Sequence, residues 1–374
     1  MKYLSLFSGI EAVSVAWKPL GWECAAVCEI LPYQSSVLAH HFPNVRNLHD
    51  VTKIDEATIK SLGKIDIVVF GSPCQDMSVA GKRQGLQTVK EDENHSSRLF
   101  FEGVRVFRLA QKHCGARFML WENVPGALSS QEGADFGTVL ETLVGVKFGA
   151  AGLVWGNEGV VCGSGGLCEW AVLDSQFFGV PQRRRRVFAL LDTGDWSGRK
   201  PILLEAEHLR KITSKNGSEG QENTSELERS IANSVVRVET FDRQGISQWG
   251  ENPVASTISA RDYKSATDLI CYSIAENIIN RSHDHGGNGL GFNNEIAFTL
   301  NATGVHGVVH KHKVRRLTPI ECERLQGFPD NWTNVGNPAV AKRYNALGRS
   351  MAVPVMKWIG QQIQKVENAT SSKN

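Results

Sequence analysis

The amino-acid sequence predicts an α/β protein with a mostly parallel sheet, followed by a smaller, loop-rich β region. Through the first half, short apolar runs alternate with amphipathic stretches, as in the strands and helices of a parallel sheet. From about residue 234 to residue 312 the chain is rich in Gly, Asn, Thr and His and has only short β-like runs. A length of 374 residues also favours one large domain plus a smaller one.

Strands and helices can be assigned in order along the chain. Apolar runs of strand length lie at residues 3–7, 24–29, 65–70, 118–121, 170–173 and 186–191. Helical spacing predicts helices over residues 12–20, 99–111, 319–325 and 351–365. Because open α/β sheets bind ligands beyond the carboxyl ends of their strands, we expect functional residues where these strands end.

The composition along the chain predicts where the domains divide. Residues 200–228 are rich in Ser, Asn, Glu and Gly, which is typical of a linker or surface loop. Residues 255–261 weakly resemble residues 297–303, as expected for two hairpin-like units. We therefore predict a large domain (1–199), a linker with a small β domain (200–312), a segment returning to the large domain (313–366) and a frayed tail (367–374).

Composition and charge exclude some classes of protein. A hydrophobic content of 41% and a charged content of 21% are ordinary for a globular protein. No window approaches the roughly 18 apolar residues of a membrane span, and the first apolar run is too short for a secretory signal. We therefore expect a cytoplasmic protein with no membrane partner. The formal charge of +2 does not by itself indicate a nucleic-acid partner.

The eight cysteines are expected to be reduced thiols, because the chain is long and shows no secretory signal. Cys24 and Cys28 form one close pair, and Cys162 and Cys168 form another. Neither pair has a second ligand pair at the spacing of a zinc site. The sequence therefore predicts no metal.

Three motifs carry residues suited to chemistry. Cys74 lies in Gly71-Ser-Pro-Cys-Gln-Asp76 and Glu122 in Trp121-Glu-Asn-Val-Pro-Gly126, each directly after a predicted strand. A lone cysteine is more often an inert buried thiol, and a lone Glu-Asn pair is often a surface turn. Pro181-Gln-Arg-Arg-Arg-Arg186 would alone be a solvated basic patch. Strand-end placement favours a thiol and a carboxyl that face one cleft.

In this order the motifs resemble those of the cytosine-5 DNA methyltransferase family. The matching segments are Leu6-Phe-Ser-Gly-Ile-Glu11, Ser72-Pro-Cys-Gln75, Glu122-Asn-Val124, the Gln-x-Arg-x-Arg motif within residues 181–186, and residues 316–329. The resemblance extends from about residue 4 to residue 363. It implies a Rossmann-like S-adenosylmethionine-dependent methyltransferase, with catalytic and cofactor-binding residues in 1–199 and target recognition in 200–312.

The resemblance implies a catalytic role for four side chains. Cys74 would be the nucleophile that attacks carbon 6 of a flipped cytosine, so that carbon 5 can accept a methyl group. Glu122 would bind the exocyclic amine and ring nitrogen 3. Arg184 and Arg186, the two arginines of Gln-x-Arg-x-Arg, would hold the base and its phosphate, with Arg186 at the base oxygen.

The implied substrate is duplex DNA, and the implied protein is a monomer. The segment after Cys74 could close over the extruded base and contact phosphates through Lys82 and Arg83, or it could be a plain surface loop. Arg183 would add positive charge beside the DNA. Asn, Arg, His and Thr side chains in residues 234–312 could reach base edges, but they do not reveal the target sequence.

The resemblance also implies a binding site for S-adenosylmethionine. Phe7, Gly9 and Ile10 would form the turn around the methionine moiety. Glu29 would bind the ribose hydroxyls, as an acid after a second strand does in Rossmann-like folds. The other implied cofactor residues are Asp50 at the adenine amine, Pro73 and Leu99 in the same pocket, and Ser350 of the last motif. The first motif lacks Gly-x-Gly-x-x-Gly, which disfavours a dinucleotide.

One departure from the family pattern concerns activity. The last motif reads Gly348-Arg-Ser-Met351 where Gly-Asn-Ser-Val is typical, so Arg349 places a long cation where a short amide would line the pocket. Three alternatives therefore stay open: a transfer-RNA methyltransferase, a catalytically weakened DNA-binding homologue, and a nicotinamide oxidoreductase. The long insertion before the last motifs favours duplex DNA, and an oxidoreductase leaves Cys74 and Glu122 without a role. The biological role is open between restriction-modification, protection of a mobile element and regulation.

Overall fold

The computed structural model describes most of the chain. The described residues are 1–73, 98–147, 153–204, 240–245, 248–251, 269–270, 273–274, 292–293, 300, 307–310 and 313–371. They fall into two compact units. The first unit comprises Met1–Phe178, Arg185–Glu219 and Ser350–Asn374, and the second comprises Gly179–Arg184 and Gly220–Arg349. The domain boundaries inferred from composition stay a prediction.

The first unit is built on a seven-stranded sheet. Its strands are β1 (Lys2–Leu6), β2 (Glu23–Cys28), β3 (Ile67–Gly71), β4 (Phe118–Asn123), β5 (Glu158–Gly163), β6 (Gly166–Asp174) and β7 (Arg185–Asp192). Strands β2, β1, β3, β4 and β6 run in one direction, and β7 and β5 run in the other. The predicted mostly parallel α/β sheet is confirmed, and each predicted strand is present with small shifts at its ends.

The order of the strands places the candidate site. Across the sheet the order is β2-β1-β3-β4-β7-β6-β5, so β1 is flanked by β2 on one side and β3 on the other. The chain order reverses at this point, and such reversals open a crevice at the carboxyl ends of the strands. Residues following β1, β2, β3 and β4 therefore lie along one edge of the sheet.

Eight helices lie in the described part of the chain. They are α1 (Ala12–Trp17), α2 (Pro32–His41), α3 (Glu56–Ser61), α4 (Arg98–Cys114), α5 (Ala134–Val144), α6 (Pro319–Gln326), α7 (Val340–Arg349) and α8 (Val353–Ser371). The helix predicted over residues 12–20 ends at Trp17 and continues as a 3-10 turn, Lys18–Leu20, because Pro19 has no N–H to donate. Helices α2, α3, α5 and α7 were not predicted.

Aromatic side chains fill the core between the sheet and its helices. Trp121 and Phe100 are fully buried with ring centroids 5.4 Å apart, and Phe136 lies 5.6 Å from Trp170 in an edge-to-face contact. Helix α8 packs against α1, where Trp17 Nε1 donates to the carbonyl oxygen of Met356 at 2.7 Å. The C-terminal helix is therefore an integral part of the first unit.

A buried ion cluster fastens the edge of the sheet away from the strand ends described above. Asp192 is fully buried at the end of β7, and its carboxylate accepts from Arg117 Nε at 2.7 Å and Arg199 Nε at 2.8 Å. Glu169 accepts the backbone N–H groups of Ile202 and Leu203 at 2.8 and 2.9 Å. Each buried charge has a partner, which buried ions require, so this cluster is structural.

The second unit contains small antiparallel sheets. Its described strands are β8 (Thr240–Gly245), β9 (Gln248–Glu251), β10 (Leu269–Ile270), β11 (Ser273–Ile274), β12 (Phe292–Asn293), β13 (Gly307–His310) and β14 (Lys313–Arg316). They form one sheet of order β10-β8-β9 and another of order β12-β11-β13-β14. Both halves of the weak repeat lie outside the described residues.

Helices α6 and α7 complete the second unit. Thr318 and Glu321 form a capping box at the start of α6. The carboxylate of Glu323, fully buried, accepts from Arg343 Nη2 at 2.8 Å and from the Thr333 N–H at 2.8 Å. Across the described residues, every helix is too short or too polar to span a lipid bilayer.

Candidate active site

The predicted site residues divide between the two units. Phe7, Gly9, Ile10, Glu29, Asp50, Pro73, Leu99, Glu122, Arg186 and Ser350 belong to the first unit, and Arg183 and Arg184 belong to the second. Cys74, Lys82 and Arg83 lie outside the described residues. The geometry below concerns the strand ends of the first unit.

The turn after β1 is held by a carboxylate that follows β2. Phe7 and Gly9 have left-handed backbones, with φ of 52° and 57°, and a Cβ placed on Gly9 would meet no atom within 4 Å. Glu29 Oε2 accepts the N–H of Gly9 at 2.8 Å, and Oε1 accepts the N–H of Leu31 at 2.8 Å. The turn therefore presents an open concave surface beside Glu29.

Other predicted cofactor residues lie around this turn with different exposures. Ile10 is fully buried, so only its backbone can face a ligand. Phe7 and Leu99 are half-buried and pack against the main core cluster. Pro73 is half-buried at the end of the β3 segment. Leu99, in the first turn of α4, thus joins the wall that Phe7 begins.

Asn47 was missed by the sequence analysis, although it connects two predicted cofactor residues. Its Oδ1 accepts the N–H of Glu29 at 3.0 Å and the N–H of His49 at 2.9 Å, and its Nδ2 donates to the Glu29 carbonyl at 3.1 Å. Asp50 follows directly, and hydrogen bonds from Thr52 hold the pKa of Asp50 below its usual value. An Asn in a polar stretch carries no sequence signal for such a bridge.

Ile30 is a second residue that sequence reasoning missed. It follows Glu29 directly, and 63% of its surface is exposed. Large aliphatic side chains are mostly buried, so this exposure beside a strand-end carboxylate is informative. The available signal was an apolar residue immediately after the acid that ends the second predicted strand.

Glu122 lies over the last residue of β3. Gly71 and Glu122 are partners in the parallel pairing of β3 and β4, and a Cβ on Gly71 would lie 2.7 Å from Glu122 Oε2 and 3.1 Å from Met351 Cε. Arg186 Nε is 3.2 Å from Glu122 Oε1, and the two side chains are 17% and 13% exposed. A carboxyl and a guanidinium thus meet where β3 ends.

Ser72 ties the ends of β3 and β4 together. Trp121 Nε1 donates to Ser72 Oγ at 3.0 Å, and Asn123 Nδ2 donates to the Ser72 carbonyl at 3.4 Å. Ser72 and Asn123 are both almost completely buried. The chain therefore leaves a rigid strand end at Ser72 and continues through Pro73 into Cys74.

The comparison with protein families decides the classification. A model of the C-5 cytosine-specific DNA methylases matches residues 1–365. The chain belongs to the C-5 cytosine-specific DNA methylase family. The resemblance found in the motifs is thereby confirmed, as is the assignment to the DNA cytosine methyltransferases.

Individual relatives of the methylase cover different shares of it. A protein of Escherichia phage P1, named a DNA N-6-adenine-methyltransferase, is 30% identical over 97% of this chain and 61% of its own length. The type II methyltransferase M.Sau3AI of Staphylococcus aureus is 28% identical over 87% of this chain and 84% of its own. The crystal structure of S. pombe Dnmt2 methyltransferase matches with a TM-score of 0.58 at 15% identity, covering 98% of this chain and 99% of that one. The chain thus spans less than two thirds of the phage relative, and the Dnmt2 structure supports the fold.

The arginine run of the methylase alternates between buried and exposed side chains. Arg183 and Arg185 are exposed. Arg184 is 3% exposed, and its Nη1 and Nη2 donate to the carbonyls of Leu300 and Gly348 at 3.2 and 3.3 Å within the second unit. The structure therefore brings Arg186 to Glu122, whereas Arg184 binds backbone carbonyls of its own unit.

The last motif places its residues in different settings. Ser350 is 5% exposed, and its Oγ donates to the Met351 carbonyl at 3.2 Å. Arg349 is exposed at the C-terminal end of α7. A cation is favoured there because it faces the negative end of the helix dipole, which gives Arg349 a local structural reason.

Glu11 is a buried carboxyl beside the cofactor turn, and we expect it to make stability depend on pH. Burial raises the pKa of Glu11 from 4.5 to about 7, while hydrogen bonds from Ser14 and Ser5 limit the rise. A raised carboxyl pKa favours folding while the group is protonated, and this contribution is lost as pH rises from 4.5 through 7. The expected loss is roughly 3 kcal/mol of unfolding free energy.

The measurement is urea unfolding of the wild type and Glu11→Gln at intervals from pH 5 to pH 8. Since the amide does not ionise, the difference between the two proteins isolates Glu11 from other titrating groups. We expect Glu11→Gln to gain stability relative to the wild type as pH rises. A difference that stays constant across the range would contradict a raised pKa.

Proposed function

We propose that this protein transfers a methyl group from S-adenosylmethionine to carbon 5 of cytosine in duplex DNA. The observation that carries the proposal is the Glu122–Arg186 pair lying over Gly71. Gly71 is the last residue of β3 and leads through Ser72 and Pro73 to Cys74. A carboxyl and a guanidinium next to the segment that carries a thiol fit the chemistry that methylation of carbon 5 requires.

The donor set at the strand ends fits S-adenosylmethionine. Open space above Gly9 leaves room for a ligand against the turn. The carboxylates of Glu29 and Asp50 suit the ribose hydroxyls and the adenine amine, and the exposed Ile30 suits an apolar base face. Phe7, Pro73 and Leu99 would line the same pocket, with Ser350 near its rim. The bound cofactor would supply an electrophilic methyl group.

Carbon 5 of cytosine is a poor nucleophile, and the protein residues must make it reactive. The Cys74 thiolate would form a bond to carbon 6, and the electron pair of the ring double bond would move to carbon 5. Glu122 would hydrogen-bond ring nitrogen 3 and the exocyclic amine, stabilising the charge that spreads into the ring. After transfer, loss of the carbon 5 proton to water and departure of the thiolate would restore the aromatic ring.

The basic residues suit a base extruded from duplex DNA. Arg186 would hold Glu122 in place through their ion pair and contact the base oxygen. Exposed Arg183, with Lys82 and Arg83, would bind phosphates. We propose that residues 200–312 recognise the target and that a monomer is sufficient. Arg184 would shape the arginine segment through the Leu300 and Gly348 carbonyls.

The test is methylation of duplex DNA with tritiated S-adenosylmethionine, followed by digestion to nucleosides and bisulfite sequencing. We expect radioactivity only in 5-methylcytosine, at one sequence context. Label in N6-methyladenine would instead favour the activity in the name of the phage P1 relative. Methylation of an amino nitrogen needs no thiol adduct on the base, so it would leave Cys74 without a role. Label in transfer RNA alone would contradict the DNA substrate.

We expect Arg349→Asn to leave methyl transfer equal to or higher than that of the wild type. Arg349 is exposed and ends α7, and the substitution restores the residue that the resemblance leads us to expect. The measurement is kcat and KM for S-adenosylmethionine with duplex DNA. A severe loss of kcat would show that Arg349 has an adapted role in this chain.

A further inference from the structure

The turn between β1 and α1 has an unusual backbone that needs support. Phe7, Gly9 and Glu11 have φ of 52°, 57° and 65°, so three of five consecutive residues are left-handed. Side chains other than glycine disfavour this conformation. Such strain persists only where the surroundings over-determine it, and it concentrates at ligand-binding sites.

Glu11 supplies that support from beneath the turn. Its side chain is fully buried, and Oε2 accepts from Ser5 Oγ at 2.9 Å. Oε1 accepts the N–H and the Oγ of Ser14 at 3.1 and 2.9 Å. Ser5 belongs to β1 and Ser14 to α1, so one carboxyl connects the element before the turn with the element after it.

The same turn is held from the opposite side by Glu29. The Gly9 N–H donates to Glu29 Oε2 at 2.8 Å, and the Glu11 N–H donates to the Ser8 carbonyl at 2.9 Å. The backbone of residues 7–10 is therefore fixed between two carboxyls. Removing the inner one leaves Ser5 and Ser14 without this acceptor and frees the turn to relax.

The surroundings of Glu11 are polar but uncharged. Tyr3 from β1 donates to or accepts from Ser14 Oγ at 2.7 Å, and Cys24 from β2 is the other titratable group facing the carboxyl. Burial raises the pKa of both Tyr3 and Cys24, so neither is a charged partner at neutral pH. Helix capping alone would not require a side chain long enough to reach Ser5.

We propose that Glu11 is a positioning residue for cofactor binding, which fixes the Phe7–Ile10 turn through Ser5 and Ser14 so that Gly9 meets Glu29. The inference rests on the proposed function, because it takes this turn to be the site of S-adenosylmethionine. It assigns Glu11 no contact with the cofactor and no part in the chemistry.

The test compares Glu11→Ala and Glu11→Gln with a matched control. Asp55 caps α3 by accepting the Thr58 N–H at 2.8 Å, so Asp55→Ala also removes a capping carboxylate, but away from the turn. Calorimetry gives the Kd of S-adenosylhomocysteine, and steady-state kinetics give KM and kcat. We expect Glu11→Ala to raise Kd and KM about ten- to a hundredfold. Glu11→Gln should recover most of the affinity, because its amide oxygen accepts from Ser14. Saturating cofactor should restore kcat, and Asp55→Ala should bind like the wild type.

Unchanged Kd in a folded Glu11→Ala protein would overturn the inference, as would a loss confined to kcat. If Glu11→Ala does not fold, Ser5→Ala removes a single bond to Glu11 and should still raise Kd, whereas wild-type affinity in that variant would count against the inference. A wild type that binds no S-adenosylhomocysteine would overturn the proposed function as well. The two failures are therefore distinguishable by the wild-type titration.

Discussion

The Cys74→Ser variant is expected to lose methyl transfer by on the order of 10⁴-fold or more, while binding of S-adenosylhomocysteine stays intact. A serine hydroxyl is much less acidic than a thiol, so it cannot supply the anion that adds to carbon 6. The measurement is single-turnover transfer of tritiated methyl groups to duplex DNA, with calorimetry on the same preparation.

The matched control is Cys162→Ser, because Cys162 is an exposed thiol on the edge strand β5. It should retain wild-type transfer. DNA containing 5-fluorocytosine gives a second reading, since fluorine replaces the proton that must leave carbon 5. The wild type and Cys162→Ser should form a denaturation-resistant complex with this DNA, and Cys74→Ser should not. Normal turnover by Cys74→Ser would rule out the covalent mechanism.

The second large effect is expected for Gly71→Ala, with kcat lowered about 100-fold. The added methyl group would lie 2.7 Å from Glu122 Oε2 and 3.1 Å from Met351 Cε. Both atoms are at the far ends of flexible side chains, so the sheet can keep its structure while the Glu122 carboxyl moves. The measurement is kcat at saturating DNA and cofactor, together with the thermal unfolding midpoint.

Gly156→Ala serves as the control for this prediction. A Cβ on Gly156 would have the carbonyl oxygen of Glu158 as its nearest neighbour, at 3.3 Å, and Gly156 precedes the edge strand β5. This variant should keep its kcat. The double variant Gly71→Ala, Met351→Ala should stay impaired, because it relieves the contact with Met351 but not the one with Glu122. Wild-type kcat in Gly71→Ala would mean that the position of Glu122 does not limit the rate.

Most of the sheet could be predicted because its strands leave strong local signals. β3 and β7 are continuous apolar runs, as expected for strands covered on both faces. β5 was missed because it is an edge strand of mixed composition, with Val160 and Cys162 exposed. Helix α2 was missed for a similar reason, since its sequence lacks a clear apolar face.

The candidate site could be predicted in part. Reactive side chains at strand ends, such as Glu29 and Glu122, are recognisable because a strand followed by a turn and an acid is a local pattern. The bridging role of Asn47 and the buried role of Glu11 could not be predicted, because each depends on which elements pack together. Cys74, Lys82 and Arg83 stay sequence predictions, since they lie outside the described residues.

The sequence by itself determined the α/β class and the methylase family, because hydrophobic periodicity and ordered motifs are properties of short segments. Only the tertiary structure decided that Gly71 faces Glu122 and that Gly9 meets Glu29. These residues are far apart in the chain, and their contacts exist because β1 lies between β2 and β3 and because β4 pairs with β3. Strand neighbours are chosen by the packing of the whole sheet, which no single segment encodes.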